Sequence, residues 1–214
     1  DAVKFQAYTP HSMTIDCDKS DFQIKKGTWA GRSLFDLYKE AGTPLEWQKE
    51  LFAYSRELGI TCFSTPFDEA GVDLLSDLDA PAFKVASFEM TDHGLLNKIG
   101  QTKKPVLMST GLASLEEIEE SIGILKNAGN EDLLIFHCVS SYPAPIDQSH
   151  LSMIGMLRKR FNVEVGLSDH TLGTTAAIAA VALGATAIEK HFILRRSDGG
   201  ADSGFSLEPH EMRD

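Results

Sequence analysis

The chain is short of cysteine, of long apolar runs and of positive charge, and each shortage closes off a class of protein. Its three cysteines, Cys17, Cys62 and Cys138, are an odd number at wide spacings. They do not make a disulfide framework and read as reduced thiols of a cytoplasmic protein. The longest apolar candidate, Ala176 to Ala185, contains a glycine and falls well below the ~20 residues that a bilayer demands, so no membrane partner is expected. No basic-then-apolar leader opens the sequence, and no secretory signal is expected. Lysine and arginine number 20 against 31 aspartates and glutamates, a net charge of −11. Nucleic acid, whose phosphates call for a basic surface, is therefore not an expected partner. A small anionic substrate is compatible with this charge if a few lysines and backbone amides are focused in one pocket. A Gly-x-Gly-x-x-Gly turn after a strand is also missing, which removes support for a dinucleotide-binding sheet.

What is present is a repeat. Near-continuous apolar runs rich in β-branched and aromatic residues occur at Ala2–Tyr8, Ile60–Phe67, Ala82–Ser87, Val106–Thr110, Leu133–Val139, Val163–Ser168 and Ala187–Leu194. Runs without polar alternation are those of strands buried on both faces, as in parallel sheets. Helical patterns with readable ends lie between them. Thr43-Pro44-Leu45-Glu46 offers an N-cap, a first-turn proline and an acid for a helix reaching Gly59. Ser114-Leu115-Glu116-Glu117 is a capping box for a helix that should stop at Gly129. A short helix is expected near Ser33–Ala41, inside a long loop over residues 9–42. Thr174 to Leu183 is apolar nearly all round, and is either deeply buried or part of a subunit contact. From the second run on, strand starts recur at roughly 20 to 30 residues, a βαβ rhythm that closes as an eight-stranded barrel or lies open as a doubly wound sheet. The length supports one domain with a full core, yet falls short of the about 250 residues of a complete eight-fold barrel.

Polar side chains collect at the C-terminal part of every run. Lys4 and Gln6 stand in the first, and Ser64, Thr65 and Asp68 close the second. The third carries Lys84, Ser87 and Glu89, the fourth ends in Ser109 and Thr110, and the fifth gives His137, Ser140, Ser141 and Tyr142. Ser168, Asp169, His170 and Thr171 close the sixth, and Glu189, Lys190 and His191 the seventh. In a parallel barrel those ends share one mouth, where active sites are built. The bland alternative, that loops simply begin there, leaves lysines and histidines embedded in apolar runs unexplained, because an unpaired buried charge is expensive. Lys4 and Lys84 with the hydroxyls of Thr65, Ser87, Ser109, Ser140 and Ser168 suit a small, doubly charged anion. His170 and His191, at the ends of adjacent strands, are either a shared metal site or satisfied core histidines. Glu89 is either a rim acid or a general acid/base over the mouth. His137 faces the lumen or is a core histidine. His11, His93, His150 and His210 read as surface residues.

These runs, among them Val3-Lys4-Phe5-Gln6, Ser64-Thr65-Pro66-Phe67-Asp68, Phe83-Lys84-Val85-Ala86-Ser87-Phe88-Glu89, Ser141-Tyr142-Pro143-Ala144-Pro145, Gly166-Leu167-Ser168-Asp169-His170-Thr171 and Ile188-Glu189-Lys190-His191-Phe192, resemble those of the sialic acid synthase family, in the right order over nearly the whole chain. Tyr38-Lys39-Glu40-Ala41, the Thr43–Trp47 helix start, Ala86–Glu89 and Arg196–Asp202 resemble its pseudaminic acid branch most. The resemblance implies an α/β TIM (β/α)8 barrel represented by strands two to eight. Residues 1–214 would be its catalytic domain, without the family's first strand and its C-terminal antifreeze-like domain. It implies condensation of phosphoenolpyruvate with a di-N-acetylated 6-deoxy hexose aldehyde, or with the acceptors of the N-acetylneuraminate and legionaminate branches. Lys4, Thr65, Lys84, Ser87, Ser140 and Ser168, and by their chemistry Ser109, would hold phosphoenolpyruvate. Gln6, Glu89, Tyr142 and Asp202 would meet the N-acetylated sugar, with Glu89 the favoured acid/base and Lys84 beside it in catalysis. His170 and His191 would bind a divalent metal, Mn²⁺ ahead of Mg²⁺ or Co²⁺. The assembly implied is a homodimer. A Schiff-base aldolase using Lys84 or Lys190 and a non-catalytic sugar-binding barrel are the competing readings.

Overall fold

In the computed structural model, which describes residues 1–213, the near-continuous apolar runs form strands β1 (Ala2–Ala7), β2 (Thr61–Pro66), β3 (Phe83–Val85), β4 (Val106–Ser109), β5 (Leu133–Cys138), β6 (Glu164–Asp169) and β7 (Ile188–Lys190). Helices are α1 (Pro10–Met13), α2 (Leu34–Ala41), α3 (Trp47–Glu57), α4 (Glu69–Asp77), α5 (His93–Gln101), α6 (Leu115–Asn127), α7 (Met153–Phe161), α8 (Thr175–Ala182) and α9 (Pro209–Arg213). The strands form one sheet, all parallel, each beside its predecessor from β1 to β7. A doubly wound sheet reverses strand order at a switch point; this one never reverses.

The sheet also curls. Laid flat, β1 and β7 would stand roughly 29 Å apart at ~4.8 Å per strand spacing. Yet Lys4 of β1 and Glu189 of β7 are in contact at 3.0 Å. The seven strands are therefore a sector of a TIM-type barrel whose inner side chains converge.

Alternation along each strand divides the side chains. Val85, Met108, Ile135 and Val165 are fully buried and pack outward, beneath Leu75, Leu96, Ile99 and Ile154 of the surrounding helices. The intervening positions carry the polar set. Close approach on the inner face explains Gly166: a Cβ there would lie 2.5 Å from the Ala187 carbonyl and 2.7 Å from the Phe136 ring.

Several helix ends follow the expected chemistry. Ser114 and Glu117 form the capping box of α6, and Gly129 sits just past its end at φ +80°. Ser33 caps α2. The start of α3 differs from expectation. Thr43 does not cap it; Pro44 and Leu45 make turns to Trp47 and Gln48, and the helix begins at Trp47. Tertiary docking accompanies the shift, since the buried Gln48 amide donates to the Gln6 carbonyl at 2.8 Å. Helix α8 is neither fully buried nor bare. It buries Ala176 and Ala180 and exposes Ile178 and Val181. No helix among the described residues is long and apolar enough to cross a membrane.

Candidate active site

The strand-end residues meet in a cradle spanning β1 to β7. Lys84 is almost wholly enclosed. Its ammonium donates to Ser109 Oγ at 2.7 Å and to its neighbour's carbonyl, Val85 O, at 3.1 Å. Glu189 lies between the two lysines, 3.0 Å from Lys4 and 3.6 Å from Lys84, and accepts a hydrogen bond from Ser168 at 2.8 Å. Two cations thus share one carboxylate, which leaves one positive charge uncompensated.

The titration behaviour follows the geometry. Burial pushes the Lys84 ammonium down to about 8, against the pull of Glu189. Glu189 is buried, which alone would raise it, but Lys84, Lys4 and Ser168 hold it well below the usual carboxylate range.

Hydroxyls and an amide complete the cradle. Gly111 follows β4, and its N–H donates to Ser87 Oγ at 3.1 Å. A Cβ at Gly111 would meet Ser140 Oγ at 2.4 Å and Cys138 Sγ at 3.1 Å, so glycine is what lets the loop amide come this close. The Oγ of Thr65, on the inner face beside Gln6, is buried without a hydrogen-bond partner. Buried hydroxyls left this way cost free energy unless a ligand or water satisfies them.

A second region adjoins the cradle at the rim. Tyr142 packs against His170, with ring centroids 4.3 Å apart and the rings tilted by 45°, and touches Trp29 and Phe205. The 9–42 loop reaches this rim through two long-range bonds. Trp29 Nε1 donates to the Ala201 carbonyl at 2.8 Å, and Thr28 to the Tyr142 carbonyl at 3.0 Å. Glu89 opens a short turn after β3. One of its oxygens is buried and unpartnered. Burial pushes its carboxyl up to about 7, more than its own amide and Lys84 pull it down. Gln6 stands half-buried on β1, in register with Thr65.

His170 and His191 come together as adjacent-strand residues should, with ring centroids 5.4 Å apart. His170 Nδ1 lies 3.0 Å from the Val139 carbonyl, which only accepts, so Nδ1 is the donor and Nε2 is left for another partner. His191 Nδ1 lies 3.4 Å from the Asp202 carboxylate. Among the described residues no cluster of three or more His, Cys, Asp or Glu suited to a metal forms. The donor set here is two imidazoles, each with its other nitrogen beside a carbonyl or carboxylate. That pattern fits a two-histidine divalent site whose remaining positions belong to water and substrate.

His137, the alternative lumen candidate, goes elsewhere. Its ring is buried and lies 2.7 Å from the Ser149 carbonyl, because strand alternation turns it away from the side where Cys138 meets His170 at 3.8 Å. His11, His93, His150 and His210 are exposed. Glu189, Cys138, Gly111, Trp29 and Phe205 join the site without having been expected there. For Glu189 a signal existed, an acid inside an apolar strand.

Comparison with known proteins agrees with this architecture. The sequence model of the NeuB family matches residues 1–214. Pseudaminic acid synthase of Campylobacter jejuni is 46% identical over 213 residues, the whole of this chain and 62% of that protein. Pseudaminic acid synthase of Helicobacter pylori is 41% identical, over 97% of this chain and 61% of that one. The chain thus spans about three fifths of the length of these curated relatives. A crystal structure of N-acetylneuraminic acid synthetase from Leptospira borgpetersenii superposes with TM-score 0.87 at 31% identity, covering 99% of this chain and 69% of that one. A truncated 3-deoxy-D-arabino-heptulosonate 7-phosphate synthase from Thermotoga maritima shares the fold at TM-score 0.69 and 18% identity.

Proposed function

The chain belongs to the NeuB family, and from that premise we propose that the protein containing it condenses phosphoenolpyruvate with a di-N-acetylated 6-deoxy hexose aldehyde, giving pseudaminic acid and phosphate. The observation that carries this reading is the cradle itself: two lysines sharing one carboxylate, with the buried Thr65 hydroxyl unpartnered, next to an acidic and aromatic rim. The choice of sugar leans on the 46% identity to the Campylobacter jejuni enzyme. N-acetylneuraminate and legionaminate formation are the neighbouring alternatives. We place the enzyme in the cytoplasm, as a homodimer, with Mn²⁺ as its metal.

In this reading Lys4 and Lys84 neutralise the phosphate and carboxylate, while Thr65, Ser87, Ser109, Ser140 and Ser168 fix their oxygens, the Gly111 amide holding Ser87 in place. Glu189 draws both ammonium groups inward. Gln6, Tyr142 and Asp202 orient the sugar, and the Trp29–Tyr142–Phe205 wall shields it from water. His170 and His191 hold the metal, which when bound supplies Lewis acidity toward the aldehyde oxygen. Positioning the two substrates at near-attack distance accounts for much of the acceleration. C3 of the enol phosphate attacks the aldehyde carbon, water adds at C2, and phosphate leaves with C–O cleavage. Glu89, protonated below about 7, gives its proton to the oxygen that gains charge as the C–C bond forms.

One observation favours a second reading. An ammonium pushed down to about 8, as in Lys84, suits a Schiff-base lysine. Borohydride trapping of a pyruvate or sugar adduct separates the two. The proposal itself is tested by phosphate release from phosphoenolpyruvate with a panel of acetamido sugars, with and without Mn²⁺. Release without any sugar dependence would contradict it.

A further inference from the structure

The apolar strands hide an ion pair that the cradle does not use. Lys190 Nζ lies 2.7 Å from Asp169 Oδ2 and donates to the Thr171 carbonyl at 2.5 Å. The other Asp169 oxygen accepts from both the amide and the hydroxyl of Thr171, each at 2.8 Å. Both charged side chains are almost completely enclosed, 1% exposed for Asp169 and 5% for Lys190.

Their place in the strands gives the pair its meaning. Asp169 and Lys190 face each other in the β6–β7 register. One residue back, Ser168 and Glu189 are bonded on the inner face; one residue on, His170 and His191 return to that face. The pair therefore closes the ladder on the outer face just before the two histidines. Strand β7 is short, Ile188–Lys190, and is registered to β6 at Leu167, Ser168 and Asp169. A slip of one residue would send His191 to the outer face. Apolar packing of equal volume often stabilises a fold as well as a buried ion pair does, so register is a reason to keep one.

We propose that Asp169, Lys190 and Thr171 are positioning residues, a clamp that sets the separation and direction of His170 and His191 and thereby the affinity for a divalent metal. The proposal rests on the reading of those histidines as the metal site. The test is Mn²⁺ binding to the full-length protein, followed by electron paramagnetic resonance well below the thermal midpoint. The proteins compared are wild type, Lys190→Met, the double variant Asp169→Leu/Lys190→Met, and Thr171→Val, which keeps the ion pair and removes one bond to it. Second-sphere losses of this kind weaken metal binding by about 10- to 100-fold. That loss is expected in Lys190→Met and in the double variant, even where apolar replacement restores the thermal midpoint. A few-fold loss is expected in Thr171→Val, the variant least able to disturb folding. Wild-type affinity in any folded variant that lacks the ion pair, or in Thr171→Val should those not fold, overturns the clamp. A wild-type protein that binds no Mn²⁺ overturns the metal reading and the clamp with it.

Discussion

The cradle and the rim are built differently. The charged floor of the cradle is made by strands. Lys4, Lys84, Ser109, Ser168 and Glu189 come from five of the seven strands and are bonded to one another within one face. The rim is made by loops. Glu89, Tyr142, Trp29, Asp202 and Phe205 follow strands or sit in long connections, and are held by ring contacts and by backbone bonds such as Trp29 to Ala201. Strand-borne groups are fixed by the same ladder that builds the fold, whereas loops tolerate change. In the proposed reaction the invariant reactant, phosphoenolpyruvate, meets the rigid half, and the sugar meets the adaptable one. The histidine pair lies where the two halves join.

That division is broken most severely at the join. Alanine at His170 or His191 should cost about 10²-fold or more in kcat, since Lewis-acid stabilisation amounts to several kcal/mol. Chelation should abolish turnover of the intact protein, with Mn²⁺ restoring it; full activity after exhaustive chelation would remove the metal from the account.

At the rim, Glu89→Gln should lower kcat/KM by about 10²-fold. The wild-type pH profile should fall above about 7, because the raised Glu89 carboxyl loses its proton there; that limb should be missing from the variant. The stability signs differ between the halves. Glu89, raised above the ordinary carboxylate value, favours the folded state less as pH climbs from about 4.5 to 7. Glu189, depressed, stabilises above the ordinary value and loses that contribution as pH falls through its folded value. Thermal midpoints of Glu89→Gln against wild type across this range check the first sign.

A gentler perturbation sharpens the contrast. Trp29→Phe removes one half-buried hydrogen bond of about 1 kcal/mol, so KM for the sugar should rise roughly fivefold with the phosphoenolpyruvate affinity unchanged. Steady-state kinetics with each substrate varied in turn will show whether the two effects separate.

Much of the strand-built half was legible in the sequence because burial on both faces writes itself as near-continuous apolar runs, and charges inside such runs stand out. Lys84 was found that way. The run ends were overestimated by a residue or more: Tyr8 and Phe67 are buried and apolar, yet lie beyond the last ladder pair. Glu189 was harder to place, since its partner Lys4 is far away in sequence. His137 was ambiguous because composition does not state parity; only the neighbouring contact of Cys138 with His170 decides which residue faces inward. The loop-built half left weaker traces. Nothing local to Trp29 announces a bond to Ala201, 172 residues on, and nothing local to α3 announces the docking of Gln48 on β1 that accompanies its later start.

The claim that anion binding belongs to the cradle and not to the rim is tested most directly by calorimetric titration of phosphoenolpyruvate into the full-length wild type, Lys84→Ala and Trp29→Phe. Loss of a charge-assisted bond worth ~1.5–3 kcal/mol should weaken Lys84→Ala by about 10- to 100-fold, while Trp29→Phe stays within about twofold of wild type, well under the cost of one hydrogen bond. Unchanged affinity in Lys84→Ala, or equal losses in the two variants, would contradict the account.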